Sequence, residues 1–536
     1  MLKNKAGITA CLLVSVATLL VFLPALKCGF INFDDPEYVL NNPVIRGLTP
    51  ANLTAMFTQS HVGWWMPLTW LSLAVDYHFW GLNPVGYHLT NILLHAANTG
   101  LVVIIAACLC RMAPSDDNDA AGIGSNYYVA LILAGLFYGI HPLRVESVAW
   151  ITERKDVLNG LFAFSAILFY LLYLERADKS GTDRRSTVCY ALALFCFICS
   201  LMAKSISVVL PAMLLAVDWA PLGRLRRDRL RQVLLEKMPF LAVSLLVTLV
   251  TFHFADQNQY LVSYESFPFV QRLVVSGNAI WEYVRMQIAP VGLSPFNVIP
   301  DPIPTAYAVK TVLVAIALGA LTFSRLSPLT KSAVLCFLLP LLPVLAFFQN
   351  GDQSFADRFT YLPSLSPTLF LALFIRRSAG FRVKRHLAIA AAILLLGGYS
   401  VATFRQTGTW RNAETFWSRI IDVEPLAITY KERGKYYQST GRYDAAVADF
   451  TTALGMIPPT LKAYEYNFYA FRGESLREAG RYEDAVRDFT TAIGMRTHPA
   501  YFFHRGLALK ALGREIEAEE DFRRSGPDPG PVIWFY

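Results

Sequence analysis

Apolar stretches of the length that crosses a bilayer as a helix, about 17–25 residues, recur along the first three quarters of the chain. The first runs from near Ala6 to near Leu26. Others cover roughly 88–110, 127–140, 157–174, 187–203, 206–220, 238–255, 306–324, 332–348, 361–376 and 386–403, which makes eleven expected spans. A further apolar stretch, about 268–290, carries Arg272, Asn278, Glu282 and Arg285. Charges facing lipid are costly, so this stretch is expected as a re-entrant or interfacial helix. Lys3 and Lys5 precede the first run and no small-residue cleavage site follows it. It is therefore read as a retained helix rather than a signal peptide.

Beyond residue 404 the pattern changes. Gly441-Arg-Tyr-Asp-Ala-Ala-Val-Ala-Asp-Phe450 recurs as Gly480-Arg-Tyr-Glu-Asp-Ala-Val-Arg-Asp-Phe489, and more loosely from Gly513 to Phe522. The intervals are 39 and 33 residues. A tetratricopeptide repeat has a period of about 34, and Pro458-Pro459 marks a loop inserted in the longer interval. Each glycine is expected to end a first helix, with Ala446 and Ala485 letting the second pack closely. The expected fold class is all-α: a polytopic membrane helical bundle of about 11 transmembrane helices, then a soluble tetratricopeptide-repeat array. The boundaries are 1–404 for the membrane domain, with a first outer loop at about 27–87, a linker at 405–424, and repeats over 425–536.

Composition agrees. The chain is 54% hydrophobic and 16% charged, with mean hydropathy +0.39, against roughly 25% charge in soluble domains. The net charge of +8 does not point to nucleic acid, because Lys and Arg gather in short loops where they set topology. With the N-terminus cytoplasmic and eleven spans, the basic loops 224–231 and 376–385 and the pair Arg184-Arg185 fall inside. The outer side then receives 27–87, 141–156, 256–305, 349–360 and everything after 404. The eight cysteines lie within or at the ends of apolar runs and form no disulfide framework. Cys196 and Cys199 read as packing, with no second pair to complete a zinc site.

The outer segments carry the chemistry. Asp34 and Asp35 are adjacent in Ile31-Asn-Phe-Asp-Asp-Pro-Glu-Tyr38, just beyond the first apolar run. The same side receives His141, Arg144 and Glu146 within 141–155, then Lys204, and Arg358 within 352–363. A carboxylate can take the proton of an incoming hydroxyl. Arg offers a planar fork to phosphate oxygens and Lys a point charge. Together they suit a hydroxyl nucleophile and a phosphate leaving group. Trp64 to Trp70 and Tyr77 to Trp80 read as an interfacial aromatic belt, and 51–59 as an interfacial helix. His88 and His95 read as polar packing beside Asn91. No metal motif is present and no cofactor is required. A divalent cation, Mg²⁺ or Mn²⁺, is the one candidate, since acidic pairs can hold either.

These residues resemble the GT-C membrane glycosyltransferases, most closely their transmembrane-and-tetratricopeptide-repeat (TMTC) O-mannosyltransferase-like branch. The resemblance rests on 33–44, 80–95, His141-Pro-Leu-Arg-Val-Glu-Ser-Val-Ala-Trp150, Asp357-Arg-Phe-Thr-Tyr-Leu-Pro-Ser364 and the terminal repeats. Asp357 stands where the family usually has Glu, and Ser205 follows Lys204 where Glu is common. The resemblance implies a GT-C-like fold and transfer of mannose or another hexose from a polyprenyl-phosphate donor, outside the cytoplasm. The essential acidic residue of the first outer loop falls on Asp34 or Asp35. Arg358 and Lys204 are then donor-phosphate ligands, and His141, Arg144 and Glu146 line the site. The partners are a lipid-linked donor and a protein or glycan acceptor, plausibly Ser or Thr of a translocated protein, held by the repeats. Short loops and few cysteines point to a bacterial inner membrane with periplasmic repeats, an endoplasmic-reticulum membrane being the alternative. A lipid-linked sugar flippase and a membrane-anchored scaffold are the competing readings.

Overall fold

A computed structural model describes residues 5–113, 125–180, 183–257, 262–348, 351–377 and 385–527. Lys3, most of the 376–385 basic loop and residues 258–261 of the third outer segment fall outside the described residues. The chain divides into two units, Met1–Arg411 and Asn412–Tyr536. The boundary falls inside the 405–424 stretch expected as a linker. That stretch is helical on both sides of it, in Arg385–Thr407 and Ala413–Val423.

Among the described residues of the first unit, seven helices are long and apolar enough to cross a membrane: Gly7–Lys27, Pro84–Met112, Ile151–Asp178, Arg184–Ala203, Leu230–Gln257, Thr305–Phe323 and Pro328–Phe348. Counting Tyr127–Gly139 and Pro142–Ala149, bent by 50°, as one span gives eight. Eleven were expected. Of the others, 206–220 and 361–376 form the shorter apolar helices Ser205–Trp219 and Leu365–Arg376, and 386–403 lies within the 23-residue helix Arg385–Thr407. The 268–290 stretch is one unbroken helix, Phe269–Ile288, rather than a re-entrant pair. Its charges are satisfied: Glu282 pairs with Arg285 and Lys310, both at 2.6 Å, and Arg272 donates to four backbone carbonyls besides that of Phe267. Small residues let the first helices approach. A Cβ at Gly135 would meet Val103 at 2.5 Å and Val14 at 2.9 Å, so three helices close on that point.

The segment 141–156 is not an exposed loop. Every residue from Tyr138 to Gly160 is buried, in the short turns Pro142–Arg144, Val145–Ala149 and Ile151–Glu153 that lead into Arg154–Ser180. Six of these buried residues are charged, and buried charges persist only when paired. Arg154 meets Asp76 at 2.6 Å and donates to Ser72 and the Tyr87 carbonyl, both at 2.8 Å. It thereby pins the 27–87 segment, whose own core gathers Tyr38, Ile45, Met56 and Trp70 with Tyr87 and Ile151. The expected interfacial stretch 51–59 is helical over Pro50–Thr58. A short antiparallel pairing of Asn297–Val298 with Gln353–Phe355 leads into the 357–360 turn.

The second unit has a leading helix, Ala413–Val423, and three helix pairs: Ala427–Ser439 with Tyr443–Gly455, Glu465–Glu478 with Tyr482–Met495, and Pro499–Ala511 with Glu515–Ser525. Gly441, Gly480 and Gly513 turn each pair at φ +74, +77 and +75, a conformation glycine adopts without steric cost. Each pair is closed by a bidentate Arg–Asp bridge sixteen residues apart: Arg433–Asp449, Arg472–Asp488 and Arg505–Asp521, at 2.7–2.8 Å. The inserted loop is the turn Pro459–Tyr464.

Candidate functional site

A cavity of about 490 Å³ opens in the membrane unit. Asp34, Glu153, Lys155, Lys204 and Arg358 line its polar part, and Tyr38, Trp64 and Trp65 also face it. The remaining wall is largely apolar, from Ile206, Val208 and Val209, from Phe252 and Ala255 near the end of Leu230–Gln257, and from 342–345 and Phe348.

The two aspartates have different surroundings. Asp35 is fully buried. One of its oxygens accepts from Ile31 N–H at 2.8 Å; the other accepts from the Thr152 hydroxyl at 2.6 Å and the Thr152 N–H at 3.2 Å. Asp34 is half-buried and lines the cavity. Burial pushes the Asp34 carboxyl above the usual carboxylate range, against the opposing pull of Lys155 and Arg358. Burial pushes Asp35 up to about 6, offset by the bonds from Ile31 and Thr152 and reinforced by Asp34.

The cations are held by carboxylates. Glu146 accepts from the Arg358 guanidinium at 2.5 Å and from its backbone N–H at 2.8 Å. Glu153 lies 3.0 Å from Lys155, 3.3 Å from Lys204 and 3.4 Å from Arg358. Asp156 meets Lys204 at 2.5 Å. Arg358 is thus paired with Glu146 and Glu153, not with Asp352 or Asp357. Asp357 is buried, and one of its oxygens has no hydrogen-bond partner among the described residues. Burial, reinforced by Glu146, holds its carboxyl well above the usual range.

The sequence-derived candidates divide accordingly. Asp34, Lys204 and Arg358 share the cavity, and Glu146, which does not line it, pairs with Arg358. Arg144 and His141 do not line it. Arg144 is fully buried and donates to the Thr360 carbonyl and hydroxyl and to Ser364, so it clamps the 357–364 turn. His141 caps its own turn, accepting from Leu143 N–H at 3.3 Å, and packs on Tyr399 at 4.6 Å. His95 is packing, held between the Tyr361 hydroxyl and the Gly139 carbonyl. Trp70 is fully buried rather than part of an interfacial belt. Two cavity residues were missed, Glu153 and Lys155, together with Asp156, which holds Lys204. Their signal was available, since Glu153-Arg-Lys-Asp156 is a run of four charges abutting an apolar span. Among the described residues no group of three His, Cys, Asp or Glu is arranged to hold a metal ion. Glu153 and Asp156 are turned to the cations Lys155 and Lys204.

The Tetratricopeptide repeat family matches residues 429–460. Protein O-mannosyl-transferase Tmtc3 of Drosophila melanogaster is 23% identical over 512 residues, covering 83% of this chain and 54% of that protein. Protein O-mannosyl-transferase TMTC4 of Homo sapiens is 23% identical over 485 residues, covering 77% and 62%. The chain is similar to the TMTC proteins. It spans 54% and 62% of the length of these two curated relatives. A crystal structure of ArnT from Cupriavidus metallidurans bound to undecaprenyl phosphate aligns over 98% of this chain and 90% of its own, at 14% identity and a TM-score of 0.37. That likeness is too loose to bear on fold or chemistry.

Proposed function

We propose that the membrane unit is a GT-C-type glycosyltransferase. It moves mannose or another hexose from a polyprenyl-phosphate donor to an acceptor hydroxyl, with inversion, on the non-cytoplasmic face. The acceptor is Ser or Thr of a translocated protein, held by the repeat array. The observation that carries the proposal is one cavity that combines Asp34, a cluster of cations and an apolar wall. The names of the curated relatives support the transferase class and the protein acceptor.

The donor's isoprenoid lies along the apolar wall, and its phosphate meets Arg358, Lys204 and Lys155. The acceptor hydroxyl gives its proton to Asp34 while its oxygen forms a bond to the anomeric carbon. The bond from that carbon to the phosphate oxygen breaks on the opposite face, and its electron pair leaves on the lipid phosphate. The cations stabilise this charge most where it develops. Asp35 does not react; it fixes the Asp34 backbone against Thr152.

The test uses the full chain in proteoliposomes with labelled polyprenyl-phosphate mannose and a Ser/Thr-rich peptide. Mannosylated peptide of inverted anomeric configuration is expected. Donor crossing the bilayer without covalent product would establish the flippase reading instead.

A further inference from the structure

The geometry points to Trp64 and Trp65 as the platform for the donor's sugar ring, an inference that rests on the transferase reading above. The cavity offers separate surfaces to the parts of such a donor. Cations suit the phosphate and the apolar wall suits the isoprenoid. The aromatic surface of Trp64 and Trp65 remains, in the same cavity as Asp34. A pyranose is neutral and presents an axial C–H face with hydroxyls at its edge. Charged groups alone do not grip that face, whereas an indole, large and amphipathic, does.

The local backbone is built to hold these rings. His61 and Trp64 exchange both backbone hydrogen bonds, at 3.1 and 3.0 Å, around Val62 and Gly63 at φ +51 and +75. This is a two-residue turn that favours Asn-Gly. A β-branched residue in the left-handed region is an outlier. Val62 keeps its place by packing against the cluster around Trp70. Strain of this kind collects at binding sites, where the surroundings fix it. The Trp65 indole N–H donates to the Phe57 carbonyl at 2.9 Å, which sets the ring's orientation although the residue is only half-buried.

The experiment measures binding of two probes to the purified full chain in neutral-lipid nanodiscs: polyprenyl phosphate without sugar, and the same lipid carrying mannose. For Trp64→Leu and Trp65→Leu, the sugar-bearing lipid is expected to bind about tenfold more weakly, a loss of roughly 1.4 kcal/mol. The sugar-free lipid is expected to bind as it does to wild type, which also verifies the fold. Trp65→Phe is expected to fall between. Equal weakening for both lipids would reduce the tryptophans to apolar wall and overturn the platform, as would no weakening at all. Wild-type transfer with an unchanged probe ratio refutes the platform alone, whereas wild-type failure to bind or use either lipid refutes the transferase reading and the platform with it.

Discussion

Asp35 and Thr152 lie 117 residues apart in the chain and are bonded twice, through the Thr152 hydroxyl at 2.6 Å and its N–H at 3.2 Å. This contact ties the 27–87 segment to the buried 141–156 knot and fixes the backbone from which Asp34 reaches the cavity. Thr152→Val keeps shape and loses the hydroxyl bond. A buried acceptor left short of a partner costs about 1–3 kcal/mol, so the melting temperature should fall. Transfer should also fall, although no cavity residue is altered. Thr152→Ser should restore both.

The acid limb of activity follows from Asp34. Its carboxyl must be ionised to accept a proton, and its folded pKa lies above the ordinary value. Transfer should therefore decline as pH falls through a midpoint above 3.8. Lys155 pulls that pKa down, so Lys155→Met should move the limb to higher pH. A limb that stayed in place would separate Lys155 from Asp34. Stability should run the other way. Asp35, raised to about 6, binds more protons folded than unfolded between about pH 4 and 6, so stability falls as pH rises across that window. Melting curves of Asp35→Asn should lose the share of this slope that Asp35 contributes, leaving that of Asp34 and Asp357.

Glu146 is buried and meets Arg358 through two bonds. Arg358→Gln should leave it unpaired and cost about 3–5 kcal/mol, beyond any loss of phosphate binding. Glu146→Gln in the same chain should recover part of that stability without recovering donor affinity. A double-mutant cycle on unfolding and on lipid-phosphate binding separates the two effects.

In the repeats, a Cβ at Gly434 would meet Phe450 at 2.9 Å and one at Gly506 would meet Phe522 at 2.8 Å, whereas at Gly473 the nearest atoms lie at 3.3 Å. Gly434→Ala and Gly506→Ala should each destabilise by about 1–3 kcal/mol through overpacking. Gly473→Ala should cost less, since alanine favours a helix interior by roughly 0.5–1 kcal/mol. Hydrogen exchange of the array within the full chain reads the difference.

The repeats were legible in the sequence because their signal is local: Gly441, Gly480 and Gly513 sit at fixed offsets from the Ala and Phe positions that pack. Asp34, Lys204 and Arg358 were legible because charge beside apolar runs is conspicuous. The 141–156 knot was not. Its charges read as an exposed loop, whereas their partners come from elsewhere in the chain, Asp76 for Arg154 and Arg358 for Glu146. Nor does the sequence distinguish Asp34 from Asp35, since the distinction lies in which one meets Thr152. The count of eleven spans is not reproduced among the described residues for a related reason. Apolar composition marks burial in protein and burial in lipid alike, and Ser205–Trp219 is apolar yet short.

The most direct measurement compares Asp34→Asn and Asp35→Asn for donor binding and for transfer under single turnover. With Asp34→Asn, donor binding should persist while transfer falls by roughly 10²–10⁴, the range of a lost general base. With Asp35→Asn, the melting temperature should shift and transfer should fall less. Undiminished transfer by Asp34→Asn would contradict the assignment of the cavity carboxylate as the base.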